Sequence, residues 1–554
     1  MRFTVPVATA TADADLGNHS VDELGKCALL LHDRLMAVGF RQLVAEVRGQ
    51  SCLHPRVGSL SHPAAPLLDH LRRVGAPVLV SSPPPTLAEK DEAIRRGCHG
   101  SAREYAEFLR TEILDFVRKG FFIVLPYSSV RHMRRLRLAP MGVVPQRNRR
   151  PRAIVDYSWH GLNDSTVPLA PDSMQFGRAL QRVLQHIYDA HPQFGPVYMC
   201  KIDIADGFYR VGIQADDAPN LGVILPSLAG AEQLIAIPTV LPMGRVASPP
   251  YFCAVTETVA DLANESLQAE PPLTTTPHRL DQVADTPPPP DEPFSIPTLS
   301  QRMHPPEWQS PQQQALAYVD VYMDDFLGVA QGTPQRRTTI RRAIFSALDR
   351  VLRPLATNDN PLRQEPASIR KLMAGDGAWH TRKVILGWMV DSVQGTLTLP
   401  PHRQQCLLTI LAETQAKRRV SLSNWRKVVG ELRSMTIALP GSEGLFAHLQ
   451  EAMAKASTQR RITINSDLHD ALADWDWLAS NISQRPTSLA EVVGKPISWM
   501  GACDASAAGM GGVWFDASGS NPPLFWRHRF PTHVTRRVIS HSNPTGDLTN
   551  SDLE

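Results

Sequence analysis

The stretch from Ala317 to Gly328 reads AYVDVYMDDFLG. An aromatic and β-branched run leads to two adjacent acids, Asp324 and Asp325, and a second apolar run follows them. This pattern predicts a tight β-hairpin with the acids at its tip. Neighbouring carboxylates amid apolar residues repel each other and are costly to desolvate, so they need a cation or open solvent. The pair is a candidate metal site, and a solvated turn carrying two aspartates is the alternative.

A second acidic position lies upstream, in VYMCKIDI from Val197 to Ile204. This segment predicts a strand that ends near Asp203, and two acid-bearing strand ends can converge. Phosphoryl transfer needs hard oxygen ligands for Mg²⁺, and a two-metal site can activate a primer 3′-hydroxyl while it stabilises the leaving pyrophosphate. Carboxylates from separate strands would supply such a site.

These acids lie in motifs that resemble those of a known family. YMDD at Tyr322 to Asp325, with KIDIADGFY at Lys201 to Tyr209 upstream, resembles the paired catalytic motifs of reverse transcriptases. Four further matches occur in the order of that family. RPRAIVDYSWHGLN at Arg150 to Asn163 is similar to the fingers motif that contacts the nucleotide, and LPMGRVASPPYF at Leu241 to Phe252 is similar to the loop and helix bordering the nucleotide pocket. VILGWM at Val384 to Met389 resembles the primer-grip hairpin, and GACDASAAGMGGVWF at Gly501 to Phe515 resembles the first strands of the ribonuclease H-like domain of retrotransposons. The matches extend over about residues 98 to 554.

The resemblance implies a role for individual residues. Asp203 and Asp324 would be the main ligands of two Mg²⁺ ions, which Mn²⁺ can replace, with Asp325 completing the acidic cluster and the carbonyl of Ile204 assisting. The implied substrate contacts are Arg152 and Arg150 on the triphosphate, Met243 and Gly244 at the nucleotide pocket, Phe208 against the sugar 2′ carbon, and Leu386 and Gly387 at the primer end. Met243 stands where retroviral members carry a glutamine that touches the sugar, so sugar contact is not implied there. For Phe208 an ordinary core aromatic is the alternative.

The resemblance to ribonuclease H is incomplete. That chemistry needs several carboxylates around Mg²⁺, and the match supplies two, Asp504 on a strand and Glu554 at the start of a helix. Degradation of the RNA strand of a hybrid is therefore not expected.

Composition limits the class of protein. The chain has 554 residues, 43% of them apolar, and a net charge of +3 that indicates no partner by itself. Its seven cysteines are scattered and show no metal-binding spacing, which favours a reducing compartment. No secretory signal and no apolar run of about 20 residues is present. We expect an intracellular protein, in the cytoplasm, in a particle or in the nucleus, with no membrane partner.

Local charge is more informative than the total. Arg131 to Arg152 contains eight arginines, His132 and no acid. A solvated basic face is one interpretation, and salt-dependent binding of a phosphate backbone is the other.

The predicted fold class is α/β (α+β): a right-hand polymerase with fingers, palm and thumb, plus a partial ribonuclease H-like unit. Residues 1–97 are predicted as a loosely attached, partly disordered extension, 98–400 as fingers and palm, 401–490 as a helical thumb or connection, and 491–554 as the partial ribonuclease H-like domain. Within the palm, the Pro-rich, aperiodic segment 264–314 is predicted as a disordered insertion.

The predicted function is that of an RNA-directed DNA polymerase of a retrotransposon. Its partners would be an RNA or DNA template-primer and deoxynucleoside triphosphates. The alternative is a catalytically silent or decaying retroelement-derived protein that binds nucleic acid.

Overall fold

The computed structural model of the chain is a mixed α/β structure that divides into two compact units, Met1–Val492 and Val493–Glu554. It describes residues 16–146, 149–167, 176–227, 230–269, 276–287, 314–436, 442–456, 460–482, 486–493, 499–506, 508–516, 519–539 and 543–549. Within these ranges no helix combines the length and the apolar character needed to cross a bilayer.

The first unit opens with six helices that pack on its core: α1 (Leu16–Val38), α2 (Phe40–Arg48), α3 (Ala65–Arg73), α4 (Leu87–Arg96), α5 (Gly100–Glu104) and α6 (Ala106–Arg118). Leu24 and Leu43 are completely buried and belong to the same apolar cluster as the strands that follow. A capping box between Thr86 and Glu89 fixes the start of α4. The prediction of a loosely attached extension is therefore wrong for residues 16–97, because the apolar face of α1 is part of the core. Residues 1–15 lie outside the described residues.

A five-stranded sheet comes next along the chain. The elements of this part are β1 (Phe122–Pro126), α7 (Tyr127–Val130), β2 (Leu138–Gln146), β3 (Arg149–Val155), α8 (Ala179–Asp189), β4 (Tyr198–Asp203), β5 (Gly222–Ile224) and β6 (Leu234–Pro238). The strand order is β1-β6-β5-β2-β3, and only the β2–β5 pair is parallel. β1 is buried along its whole length, as its sequence FIVLP requires.

A separate three-stranded sheet carries the acidic motifs; β4, β7 (Ala317–Tyr322) and β8 (Asp325–Ala330) form it in the order β4-β8-β7. The helices of this part of the chain are α9 (Ser248–Gln268), α10 (Asp281–Ala284), α11 (Pro334–Val351) and α12 (Ile369–Met373). The predicted hairpin is confirmed, because β7 and β8 pair antiparallel from Ala317↔Ala330 to Tyr322↔Asp325. α9 lies against β7 and α11 and buries most of its side chains.

The segment predicted as a disordered insertion, 264–314, is partly ordered. Residues 264–268 form the last turn of α9, and residues 276–287 contain α10. Arg279 forms ion pairs with Asp349 and Glu365, and Arg341 of α11 bonds Asp285 at 2.6 Å. The composition argument failed here because a few charged and apolar anchors suffice to fix a Pro-rich segment. Residues 270–275 and 288–313 lie outside the described residues.

The remainder of the first unit is mainly helical. Its elements are β9 (Arg382–Ile385), β10 (Trp388–Asp391), β11 (Thr396–Thr398), α13 (Pro401–Gln415), β12 (Arg419–Ser421), α14 (Leu422–Arg433), α15 (Phe446–Lys455), β13 (Arg461–Thr463), α16 (Ser466–Asn481), β14 (Thr487–Ser488) and α17 (Leu489–Val492). Trp425 and Trp475 are fully buried among the four long helices. The helical character predicted for 401–490 fits these elements, and its role as a thumb stays a prediction.

The described elements of the second unit are β15 (Trp499–Ser506), β16 (Gly509–Asp516), β17 (Leu524–Arg529) and α18 (Thr532–Thr535). The three strands form an antiparallel sheet in the order β15-β16-β17, and the short helix follows it. All six residues of β17 are exposed, and Phe525 is 80% exposed. The described part of this unit therefore has a sheet with an uncovered apolar surface.

Candidate active site

Three carboxylates meet at one end of the β4-β8-β7 sheet. Asp203 is the last residue of β4 and lies opposite Asp325, the first residue of β8. Asp324 occupies the turn between β7 and β8, and the amide N–H of Ile204 donates to its carbonyl oxygen at 2.9 Å. The structure thus brings together the three acids that the two sequence motifs single out.

The turn that holds Asp324 is a two-residue turn with an unusual backbone. Met323 has φ 57°, in the left-handed region that a non-glycine residue enters at a cost of about 1–2 kcal/mol. Its Sδ lies 3.6 Å from Sγ of Cys253, so the turn packs against α9. Packing against α9 offsets part of the backbone strain.

Burial disfavours the ionised form of these acids. Asp203 is only 6% exposed. Desolvation, with the adjoining carboxyls of Asp325 and Asp324, raises its pKa to about 7 although an ion pair with Lys371 acts in the opposite direction. Burial and the charge of Asp325 also raise the pKa of Asp324. The cluster is therefore a place where a further positive charge would be stabilising.

Two lysines that the sequence interpretation missed face the cluster. Lys371 of α12 forms an ion pair with Oδ1 of Asp203, and Nζ of Lys201 lies 3.1 Å from Oδ1 of Asp325. Lys201 precedes Asp203 by two residues on the same strand, so the alternation of a strand could have placed it on the same face. Lys371 comes from 168 residues away and has no local signal.

The donor set suits a hard divalent cation. Oδ1 of Asp325 is buried and has no hydrogen-bond donor, since the contact with Lys201 lacks hydrogen-bonding geometry. Carboxylate oxygens are the ligands that Mg²⁺ takes in phosphoryl-transfer sites. Across the described ranges, no three His, Cys, Asp or Glu side chains, these three neighbouring carboxylates included, are arranged closely enough to hold a metal ion as they stand. The residues fit Mg²⁺ chemically, and the lysines supply the positive charge in this arrangement.

The predicted nucleotide residues lie along the edge formed by β3 and the loop before α9. Nη2 of Arg152 is 3.8 Å from Sδ of Met243. Nδ2 of Asn163 donates to the carbonyl of Gly244 at 3.0 Å, and its Oδ1 accepts from Val246 at 3.0 Å. A Cβ at Gly244, whose φ is 91°, would lie 2.7 Å from the carbonyl oxygen of Val155, so only glycine fits there. Asn163, which had no predicted role, joins the two segments.

Arg150, predicted to help with the triphosphate, is engaged elsewhere. Its guanidinium forms an ion pair with Glu112 of α6 and lies 5.4 Å over the ring of Phe108. The structure therefore gives Arg150 a fixed position beside α6, and Arg152 is the more available of the two arginines.

Phe208 lies in a 3₁₀ turn that follows β4. Its ring packs edge-on against Phe252 of α9, with centroids 4.9 Å apart. The neighbouring Gly207 has φ 46°, and a Cβ there would lie 4.0 Å from Oδ2 of Asp324. Phe208 thus packs against α9 and directly follows Gly207, the residue that faces Asp324, and its contact with a sugar stays a prediction.

The hairpin predicted around VILGWM is confirmed. β9 and β10 pair from Ile385↔Trp388, and the turn consists of Leu386 at φ 47° and Gly387 at φ 85°. Two consecutive positive φ values are typical of a type I′ turn. Nη1 of Arg403 donates to the carbonyl of Gly387 at 2.8 Å and ties the turn to α13. Contact with a primer stays a prediction.

Several arginines of the basic stretch 131–152 are occupied within the protein. Arg135 pairs with Asp217 at 2.5 Å, and Arg131 with Asp91 at 3.4 Å. Arg137 donates to the carbonyls of Ser82 and Pro83 at 2.7 and 2.8 Å. These contacts fix the fold around β2, and they reduce the charge available to a phosphate backbone.

In the second unit, Asp504 lies on β15 with an exposed side chain. One of its carboxylate oxygens accepts a hydrogen bond from the amide of Ala505 at 2.9 Å. Glu554, its predicted partner, lies outside the described residues.

Comparison with known proteins gives structural likeness only. No protein-family model matches the sequence, and no curated protein sequence matches it. A foamy viral protease-reverse transcriptase in complex with an RNA/DNA hybrid superposes over 89% of this chain and 52% of its own, with 14% identity and a TM-score of 0.45. Two further foamy viral protease-reverse transcriptase structures with double-stranded DNA share 14% identity at TM-scores of 0.43; they cover 87% and 92% of this chain and 69% and 82% of their own. The chain spans about half the length of the first of these proteins.

Proposed function

We propose that this chain is a template-directed nucleotidyltransferase, an RNA-directed DNA polymerase of retrotransposon type. The observation that carries the proposal is the antiparallel pairing of β4 with β8. It sets Asp203 opposite Asp325 and ties Asp324 to Ile204 at the same end of the sheet. Three acids, two at strand ends and one in the adjoining turn, are costly to hold together unless positive charge lies beside them.

In this function Asp203, Asp324 and Asp325 would hold Mg²⁺, with the carbonyl of Ile204 beside them. Bound Mg²⁺ would activate the primer 3′-hydroxyl and neutralise charge on the leaving pyrophosphate. Lys371 must then leave Asp203, and its half-exposed side chain has room to do so. Arg152 would bind the triphosphate, because its planar guanidinium offers paired donors to phosphate oxygens. Phe208 would limit the space beside the sugar.

The decisive experiment is primer extension by the purified full chain on RNA and DNA templates, with Mg²⁺ or with a chelator. Asp324→Asn should reduce extension at least about a hundredfold, because one charged oxygen of the cluster is lost. Template affinity should change little, since it comes from phosphate contacts elsewhere. The matched control is Asp261→Asn, an exposed aspartate on α9. Extension by Asp324→Asn at the wild-type rate would refute the assignment.

A second candidate is a catalytically silent protein that binds nucleic acid. The observation that favours it is the pairing of Asp203 with Lys371, which supplies a positive charge to the cluster without a metal. In that case wild type would bind a template-primer in a salt-dependent manner but extend no primer in Mg²⁺ or Mn²⁺.

A further inference from the structure

A cavity of about 330 Å³ lies on the other side of the segment that follows β4. Its walls come from the end of α2 and the residues after it, from the 3₁₀ turn that contains Tyr209, and from the loop 359–363. Asp206 lines this cavity, whereas the adjacent Gly207 faces Asp324. Adjacent residues of this segment therefore face the cavity and the acidic cluster, which are two distinct sites. Its volume is that of a site for a small molecule.

Basic side chains dominate the lining. Arg48, Arg72, Arg73, Lys119, Arg210, Arg353 and Arg363 contribute to it, against the acids Glu46, Asp206 and Asp359. The acids do not balance this charge. Asp359 is shared by Arg353 and Arg363, and Glu46 is already bound by Arg34 from outside the cavity. Arg72 and Arg73 also share Asp69, and Lys119 pairs with Asp115, so the positive charge that no carboxylate bonds lies mainly at Arg48 and Arg210.

Two of these arginines form no ion pair with a carboxylate among the described residues, although Asp206 acts on Arg210 through its charge. Arg210 is 2% exposed and donates only to the carbonyls of Ala205, Gln364 and Glu365. Arg48 donates Nη1 to the carbonyl of Ile213 at 2.6 Å. Burial lowers the pKa of both groups, which is the sign of a positive charge held away from water. Such charges are costly unless an anion joins them.

A buried donor without a partner points to the same ligand chemistry. The side chain of Arg363 is 10% exposed, and its Nε is buried without a hydrogen-bond partner. One wall is aromatic, because Phe121 and Tyr209 are stacked with ring centroids 4.9 Å apart. Charged donors beside a flat apolar wall suit a phosphate group that carries a planar substituent.

We propose that this cavity is a binding site for a small molecule with two or more linked phosphates, such as inorganic pyrophosphate or the phosphate tail of a nucleotide, held by Arg48 and Arg210. Linked phosphates match several fixed guanidinium donors at once, whereas a single carboxylate would not. The binding does not require the acidic cluster, so Asp324→Asn should keep it.

The test is calorimetric titration of the full chain with pyrophosphate in the presence of a chelator. Arg48→Gln should weaken binding at least about tenfold, because a charge-assisted hydrogen-bond donor is lost. Arg56→Gln, which removes an exposed arginine outside the cavity, is the matched control and should have no effect. A comparison of ATP with tripolyphosphate distinguishes a nucleotide from an inorganic polyphosphate as the ligand. Tighter binding of ATP would show that the aromatic wall contacts the base, and equal affinities would show that the site binds the phosphates alone.

Because Arg48→Gln removes a bond to the backbone of Ile213, a second pair of variants avoids any effect on folding. Gln50 is exposed at the rim of the cavity. Gln50→Glu should weaken pyrophosphate binding about twofold to fivefold, and Gln50→Lys should strengthen it by a similar factor. Bound pyrophosphate should also slow alkylation of Cys52, which lines the cavity, and leave the exposed Cys406 and Cys503 unchanged. The proposal would be overturned if pyrophosphate showed no saturable binding at millimolar concentration, or if its affinity were the same in Gln50→Glu, Gln50→Lys and the wild type.

Discussion

Asp203 is an acid whose folded surroundings favour the protonated form. Its pKa is raised from 3.8 to about 7, chiefly by burial, so the folded state binds this proton more tightly than the unfolded state does. The stabilising contribution is therefore complete below about pH 4 and is lost as the pH rises toward and through 7. We expect Asp203→Asn, which stays neutral, to gain stability relative to wild type over this window.

The measurement is the difference in unfolding free energy between the two proteins at several pH values. Mg²⁺ at pH 8 should raise the melting temperature of wild type and leave that of Asp203→Asn nearly unchanged, because a ligand stabilises only the state that binds it. A difference that is flat from pH 4 to pH 8 would contradict the assignment of the raised pKa.

Leu386 holds a backbone conformation that leucine disfavours. At φ 47° it occupies the first position of a type I′ turn, where asparagine is preferred. We expect Leu386→Asn to stabilise the protein by about 1 kcal/mol in chemical denaturation. If Leu386 contacts the primer, the same variant should extend primers more slowly, which is the usual conflict between stability and function. Val384→Asn, on the adjoining strand and with normal φ, is the control and should bring no stabilisation.

At the scale of elements, several polar contacts join the ordered segment 276–287 to α11, and one buried arginine makes two of them. Arg341 has no solvent exposure and donates to the carbonyls of Ala284 and Gly377 at 3.0 and 3.1 Å as well as to Asp285. Arg341→Met leaves these acceptors without a donor and should cost about 2–4 kcal/mol of unfolding free energy. Arg350→Met, an exposed arginine on the same helix, should cost almost nothing.

The same contacts define which part of the predicted insertion can be replaced. A Gly/Ser linker in place of 264–314 would remove the last turn of α9 and the partners of Arg341. A linker in place of 288–313 alone leaves these contacts intact. The wider replacement should therefore lower the melting temperature far more than the narrower one, and equal effects would show that α10 has no stabilising role.

The sequence patterns correctly predicted those elements whose structure depends on residues close together in the chain. The hairpins at Tyr322 to Asp325 and at Leu386 and Gly387 follow from strand propensity and turn chemistry within a dozen residues. Other features depend on distant contacts. The ion pair of Lys371 with Asp203 arises from packing of α12 on β4, and the order of 16–97 arises from burial of α1 against β1. In neither case does the neighbouring sequence indicate the distant partner.

At the scale of the whole molecule, the second unit has an apolar surface that should cause association. Leu524 and Phe525 on β17 are 56% and 80% exposed, and β17 is an edge of its sheet. Exposed apolar edge strands pair readily with other chains. A protein ending at Val492 should aggregate less in light scattering while its unfolding midpoint stays the same.

A milder variant separates this effect from truncation. Phe525→Thr combined with Leu524→Thr in the full chain should also reduce scattering, because both changes keep strand propensity and remove apolar surface. Unchanged aggregation in both proteins would place the cause in the first unit.

The pairing of β4 with β8 also fixes when the acidic cluster can exist. Strand β4 is synthesised well before β8, and Lys371 follows Asp203 by 168 residues. Contacts between such distant segments form only after the entropy of closing a long loop has been overcome. On a growing chain Asp203 is therefore an isolated, hydrated carboxylate, with neither its acidic neighbours nor its lysine. Its electrostatic character is acquired only after α12 has emerged from the ribosome and docked.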